Sequence, residues 1–599
     1  MTAPSPAVES GSTLSFSIKV AGKEIASTYE VQSIDTWLCI NKVPKATIVL
    51  FDGSAESRDF PASNLKTFLP GNKVEIAAGY NGLTSPIYSG LIVSQGIAIN
   101  PSEASKLVVH LTDDAIKMTL ERRNATFEKI RDSDLIGKLI AANGLAKDVA
   151  PTNTVHEEIV QYYASDWDLM LTRAEMNGFV VMPEGGKVTV KRPDTQQSPV
   201  LRLEYGDSIL DLEAEMDAAT QLAPSAIKSY AWDADSQKLI DSGPGSVQVK
   251  EQGNLSSADL AKVFNVRDFA QQTGAPIEKA ALQDWSSAEL LKSKLSKIQG
   301  YVRFQGNALA KVGKTIELAG LGGRFNGTAF LAGVRHSITD GRWLTTGHFG
   351  LSADWFAETA PRVTAPVASG QLPGIRGLQT GIVKKVAKDP GGEFRVQVEL
   401  PLLQAAAKPL WVRLGAFYAS NKFGAVFYPE INDEVIVAFM NDDPRYGVIL
   451  GSVYSKKLQP AFPPDDKNNK KAITTRSKLQ IVFDEQDKVI EITTPGKHSI
   501  RMDDKAKSIT VKDSKGNSVS LSSSGITLDS AAGVSIKAKG DVTIDAKGNL
   551  KLTAAAKASM EGLRVAHTAK TQFVAKGNAT AEVSASGILT LKGALVKIN

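Results

Sequence analysis

The 599 residues include one cysteine, Cys39, which excludes an internal disulfide framework and any four-cysteine metal site. Six histidines (His110, His156, His336, His348, His498 and His567) show no HxH or HExxH spacing, so no cofactor or metal is expected. No stretch approaches eighteen apolar residues, and the first nine residues lack the basic and apolar regions of a secretory signal. The expectation is a protein made in the cytoplasm without a signal peptide, and exported, if at all, by another route. Aromatic residues almost vanish at one end: residues 471–599 hold Phe483 and Phe573 and no Tyr or Trp. A core built there is narrow and aliphatic. The same residues carry 20 basic and 12 acidic side chains, hence +8, and the rest of the chain −3 of a total of +5. A basic rod attracts polyanions, but without aromatic platforms for bases, nucleic acid is not the expected partner.

What that aromatic-poor stretch does contain is a repeat. Apolar pairs separated by one residue, polar in all but the first case, fall at Ile481/Phe483, Ile490/Ile492, Ile500/Met502, Ile509/Val511, Val519/Leu521, Ile526/Leu528, Val534/Ile536, Val542/Ile544 and Leu550/Leu552. The steps between pairs are 9, 10, 9, 10, 7, 8, 8 and 8 residues. Each pair is a period-2 strand signal inside a longer repeat. Turn signals such as Pro495-Gly496, Lys515-Gly516-Asn517 and Lys547-Gly548-Asn549 separate them. A strand with two inward apolar side chains cannot bury a sheet face alone, so neighbouring repeats or neighbouring chains must complete the core. About fourteen strands at about 4.8 Å each predict a stiff β-prism roughly 65 to 70 Å long. The competing expectation is a flat, extended antiparallel sheet.

The rest reads as a β-rich body. Alternation predicts strands over residues 13–20, 46–51, 68–80, 87–93 and 107–112. Helices are expected after Ser133-Asp134 (Leu135, Ile136, Leu139, Ile140, stopped at Gly144), over 165–177 with Ser165 as cap, and after Ser287 through Leu291, Leu295 and Ile298 to Gly300. Strands return over 179–192, 200–205, 301–304, 315–318, 329–338 and 344–351. Residues 363–377 have linker composition, and five strand signals between 381 and 450 suit an OB-type barrel. The expected organisation is a hub over 1–370 made of two β-barrel modules with helical insertions, an OB domain over 371–456, a linker over 457–478 and a needle over 479–599.

Candidate chemistry is sparse. The adjacent carboxylates Asp113-Asp114, Asp442-Asp443 and Asp503-Asp504 sit in turn-like sequence and read as solvated groups or turn caps. Gly313-Lys314-Thr315 imitates the end of a phosphate-binding loop, but the nearest preceding glycine, Gly306, is seven residues back instead of five. Cys39, in the apolar run Trp37-Leu-Cys-Ile40, reads as a buried small residue. No catalytic residue is assigned, and the chain is read as not an enzyme.

The most specific residues lie in the predicted barrel: Gly381-Ile-Val, Asp389-Pro-Gly-Gly, Arg395-Val-Gln-Val-Glu-Leu-Pro401, Trp411-Val-Arg413, Phe423-Gly424, Phe427-Tyr-Pro429, Asn432-Asp-Glu-Val-Ile-Val-Ala-Phe439, Asp443-Pro444 and Ile449-Leu-Gly-Ser-Val-Tyr454. This run resembles the OB domain of VgrG and phage-baseplate spike proteins, with Asn432 where that family usually has Gly. Pro70-Gly-Asn-Lys-Val-Glu-Ile76, Gly79-Tyr80, Phe325-Asn-Gly327 and His336 resemble the family's hub more loosely. The resemblance implies a mainly β fold whose three needles intertwine in a triple-stranded β-helix. It also implies a homotrimeric spike of a contractile injection system, either a phage tail-like particle or type VI secretion, between inner-tube and baseplate proteins and the target membrane. Read as ending at Asn599, the needle presents unpaired strands at Val596, Lys597, Ile598 and Asn599, and the resemblance suggests a PAAR-type tip protein there. The twenty-residue gap between barrel and needle leaves no room for the lysozyme domain that related phage needles carry. The competing functions are a cell-surface or phage-fibre adhesin, a spike with peptidoglycan hydrolase activity, and an OB-fold nucleic-acid binder.

Overall fold

The computed structural model describes residues 3–7, 12–403 and 408–598. It divides into two compact units, Met1–Val453 and Tyr454–Asn599.

In the first unit a 13-stranded sheet runs through both β-rich modules. The strand Leu14–Val20 pairs with Lys73–Tyr80 so that Ile18 faces Ile76 and Val20 faces Val74, all buried. This is the product of strict alternation, which puts every second side chain on one face. The modules are joined where Gly327–Thr339 pairs with Val31–Cys39, Ile338 opposite Ile34 and Val334 opposite Leu38. The two modules expected from the sequence therefore share one connected sheet, while each keeps its own core. One core gathers Ile18, Ile48, Phe68, Ile76, Leu107 and Trp343, the other Leu203, Val302, Phe304, Ile316 and Leu331. A third packs the helices Asp132–Ala142 and Asp166–Met176 against the strands Val180–Glu184 and Lys187–Lys191.

Two helix starts differ from expectation. The first helix begins at Asp132 without a side-chain cap. Asp132 instead accepts hydrogen bonds from Arg173 Nε (2.6 Å) and Asn177 Nδ2 (2.9 Å) and sits 3.1 Å from His156 Nε2, and these partners hold its carboxyl well below the usual range despite burial. The helix assigned to Ser287 begins eight residues earlier, as Lys279–Leu295, with Ser287 buried inside it and Ile298 already opening the strand Ile298–Gln305. The Ser165 cap stands as expected, its hydroxyl accepting Asp168 N at 3.0 Å.

Residues 379–452 close into a five-stranded barrel in the order Gln379–Lys385, Val396–Glu399, Leu410–Leu414, Gly447–Ser452, Glu434–Phe439. Its core is mostly valine: Val383, Val396, Val398, Val412, Val435 and Val437 are buried with Ile449, Leu400 and Phe439. Gly381 is required by this packing, since a Cβ there would lie 2.3 Å from Val398 Cγ1. Asn432 occupies the left-handed region (φ 73°), as its place in the motif requires.

Within the second unit, seven strands form a simple antiparallel meander from Lys470–Thr474 to Gly525–Asp529. The ladder begins at Lys470, inside the stretch read as linker. Up to Asp529 a single chain thus adopts the antiparallel pairing of the competing expectation.

Candidate interchain surfaces

In the meander the apolar pairs stand directly opposite one another. Ile473, Ile481, Ile492, Ile500, Val511, Val519 and Leu528 form one continuous row across successive strands, and Phe483, Ile490, Met502, Ile509, Leu521 and Ile526 form a second. Both rows lie on one face, because members of each pair are two residues apart. That face is uncovered: Ile490 and Ile492 are each 37% exposed and Ile526 73%. A groove of about 680 Å³ runs along it, lined by Ile492, Ile500, Val511, Val519, Leu528 and Val534. The opposite face carries Glu491, Arg501, Asp503, Thr510 and Ser520, with Arg501 bridging to Asp503 (2.8 Å) and Glu491 (3.6 Å). Side-chain contact along a row contributes within the chain, and covering the apolar face contributes about 1 kcal/mol more for each half-exposed aliphatic residue.

The corners explain the spacing. At one edge the connections are the four residues 485–488 and 504–507, introduced by Asp484 and Asp503, whose carboxylates accept Gln486 N (3.1 Å) and Ala506 N (2.7 Å). At the other edge they are the five residues 475–479, 494–498 and 513–517, each closed by its first side chain: Thr475 and Thr494 hydroxyls accept Leu479 N and His498 N, and Asp513 accepts Asn517 N at 2.8 Å. In these five corners one residue turns left-handed, Lys478, Lys488, Lys497, Lys507 or Gly516, and the sixth, residues 523–524, is only two residues long and is followed by left-handed Gly525. Alternating connections of four and five residues produce the alternating steps of nine and ten.

From residue 530 the picture changes. Among the described residues no strand ladder and no backbone–backbone hydrogen bond involves 530–598, and residues 531–598 are exposed throughout. The apolar pairs nevertheless continue, Val534/Ile536 at 61% and 74% exposure and Leu550/Leu552 at 58% and 76%. Val596 and Ile598, flanking Lys597, form a last pair in the same pattern and are exposed, and Asn599 lies outside the described residues.

The barrel presents a separate unpartnered surface. The connection between Leu410–Leu414 and Glu434–Phe439 exposes Phe417 (88%), Tyr418, Phe423, Val426 and Phe427, and Phe394 (80%) lies near it, its carbonyl accepting from Tyr428 Oη at 3.1 Å. An aromatic group of this size on a surface marks a contact region. In the sequence Phe423 and Phe427 read only as motif letters, and their position in a long connection outside the barrel strands is the missing signal.

The other sequence-selected residues have structural work. Asp113 accepts Ala115 N (2.8 Å) and Gly186 N (3.2 Å), with burial pushing its carboxyl up. Asp443 accepts Arg445 N at 2.9 Å and pairs with its guanidinium, which lowers its carboxyl's pKa. Asp389, held very low by Arg395, accepts Gly391, Glu393 and Arg395 N–H groups, which explains the Asp-Pro-Gly-Gly motif. Gly306 makes room for an indole, a Cβ there falling 2.0 Å from Trp343 Cδ2, while Gly313 turns left-handed and donates to Leu331 O at 2.9 Å. The phosphate-loop likeness is therefore a packing glycine and a turn glycine. His336 is buried against Thr345 Oγ1 (2.9 Å), and burial pushes its pKa down to about 3. Cys39 is half-buried, less enclosed than expected, and burial raises its thiol pKa. Among the described residues no three His, Cys, Asp or Glu side chains converge as a metal set.

Comparison with known proteins adds three domain matches. A family model described as the Alg8 N-terminal domain matches residues 10–340. A second, described as the type VI secretion system/phage-baseplate injector OB domain, matches 379–454, and the phage baseplate V C-terminal trimerisation domain matches 489–551. The type VI secretion system spike protein VgrG1b of Pseudomonas aeruginosa is 28% identical over 121 residues, 18% of this chain and 16% of that protein. The chain thus matches about a sixth of that relative's length. Among solved structures, a tail protein from Neisseria meningitidis MC58 (15% identity, TM-score 0.42) covers 58% of this chain and 99% of its own. An E. coli type VI secretion component described as similar to the T4 tail proteins gp27 and gp5 (14% identity, TM-score 0.35) covers 73% and 99%.

Proposed function

This chain belongs to the family of the Alg8 N-terminal domain and, by its OB and trimerisation domains, to the VgrG and phage-baseplate spike proteins, and from that premise we propose that it is the structural spike of a contractile injection system. Three copies bring their apolar rows together, so that each fills the groove that one chain leaves open. The observation that carries this reading is the pair of in-register apolar rows, one continuous over seven strands and the other over six, uncovered within the chain. The exposed aromatic connection of the barrel is proposed as a second contact between copies.

In the same reading the hub, residues 1–370, meets inner-tube and baseplate proteins, the OB domain over 371–456 forms a collar, and the needle is driven through the target membrane on contraction. Val596, Lys597, Ile598 and Asn599 are proposed to contact a PAAR-type tip protein. The work comes from contraction, and the spike supplies shape and stiffness without a catalytic step.

The test is the solution mass of the purified chain by light scattering. Three chains of 63.9 kDa give about 192 kDa, and that mass surviving dilution is the expected result. A mass near 64 kDa would remove the shared core and the spike with it.

A further inference from the structure

The outward charge of the repeat is divided unevenly. Residues 470–529 hold 11 basic and 8 acidic side chains, and several are neutralised locally: Lys470 pairs with Asp484, Lys471 with Glu485 (3.2 Å), Lys505 with Asp487 (2.9 Å) and Arg501 with Asp503 (2.8 Å). Residues 530–598 hold 10 basic and 4 acidic side chains, and among the described residues none of the ion pairs involves them. The distal segment therefore carries +6 per chain, and +18 for three chains. Lys551 sits between Leu550 and Leu552, Lys537 follows Ile536, Lys539 and Lys547 precede the turn glycines Gly540 and Gly548, and all four are exposed.

We infer that these distal lysine rows bind an anionic lipid surface. The inference rests on the spike reading above, which sets the lysines of three copies around one axis. The shared chemistry is that of phosphate groups, and a bilayer fits better than a nucleic acid. The charge is spread along the whole segment, and Phe573 is the sole Phe, Tyr or Trp in 530–598 to offer a base a stacking platform. A lysine close to an anionic membrane surface strengthens binding about fivefold, within a Debye length of about 8 Å at physiological salt. Several lysines from each chain reach a bilayer laid against the needle together, so the binding is cooperative in charge and sensitive to salt.

The experiment uses the full-length chain, its mass checked by light scattering, sedimented with vesicles of phosphatidylcholine alone or with about a third phosphatidylglycerol. Binding is expected to the anionic vesicles only, falling steeply as salt is raised. The variant with Lys537→Gln, Lys539→Gln, Lys547→Gln and Lys551→Gln should bind about tenfold or more weakly at unchanged mass, while Lys478→Gln with Lys488→Gln should bind as the parent does. A two-site variant, Lys547→Gln with Lys551→Gln, gives an intermediate loss and serves if the four-site variant does not assemble. A trimer that ignores anionic vesicles, or one whose binding survives the four substitutions, overturns the inference and leaves the spike reading standing. Stronger retention on a short duplex DNA than on the vesicles also overturns it. Lysine-dependent vesicle binding by a chain of about 64 kDa would keep the lipid surface and refute the trimer.

Discussion

Residues 470–529 and the octads that follow as far as Leu552 carry the same apolar pair in each repeat, yet only the first segment satisfies its backbone within one chain. The difference lies in the connections. A meander has two edges and therefore two kinds of corner, here five residues at one edge and four, shortened to two at the last, at the other. A uniform step of eight has one kind of corner, so every unit repeats the same rotation and the chain winds. Buried backbone donors and acceptors must be paired, and a winding chain finds its partners in other copies. The first segment is thus a sheet that needs neighbours to cover its face, and the second needs them to exist as a sheet at all.

The most disruptive way to break this comparison is Ile500→Asp, in the middle of the first aliphatic row. A carboxylate facing a shared apolar core, repeated in three chains, should cost at least about 3 kcal/mol per chain. The expected outcome is loss of the 192 kDa species by light scattering in favour of 63.9 kDa chains. Val542→Asp sharpens the comparison. It lies in the octads, so the trimer held by the first segment should persist while the distal segment frays, by about 2 kcal/mol locally. Limited proteolysis should then leave a trimeric core ending near residue 530, and a full-length core resistant to protease would count against the division. A third probe is pH. Asp484 is lowered chiefly by Lys470, Asp503 chiefly by Ala506 N–H and Asp513 chiefly by Asn517. Groups whose folded pKa lies below the unfolded value contribute stability that is present above the unfolded pKa and lost as pH falls through the folded one. Acidification below about pH 4 should therefore open the corners of 470–529 first, seen as amide exchange faster there than in 530–598.

Much of this was legible in the residues. The apolar pairs, the five barrel strands and the caps at Ser165, Asp443 and Asp503 follow from alternation and turn chemistry. The alternation of nine and ten was visible too, but its meaning as two sheet edges needs the corners, where Asp484 and Thr494 do the same work with different side chains. What stayed hidden depends on contacts far apart in the chain. Nothing near Val31 announces that it lies beside the strand ending at Thr339, and nothing near Ser287 shows that its helix already began at Lys279. Asp132 looks like any helix-start carboxylate until Arg173 and His156 arrive from elsewhere in the chain. The Phe417 and Phe427 surface was unreadable for another reason, since exposed aromatic residues carry no periodicity.

The corner lysines provide the finest test. Lys478, Lys488, Lys497 and Lys507 all hold left-handed backbone, a conformation that crowds an ordinary side chain's Cβ, where Gly516 and Gly525 serve without strain. Lys507→Gly removes that crowding at the cost of greater freedom in the unfolded chain, and the balance should favour the folded ladder by about 0.5 kcal/mol per chain. Thermal unfolding of the trimer would register it as a small rise, added over three copies. The same exchange at Lys539, where no in-chain turn holds the backbone, should give no such gain and should lower the stability slightly through glycine's entropy. Equal gains at both positions would mean that 530–598 bends at corners like those of the meander, and that the eight-residue step does not separate winding from folding back.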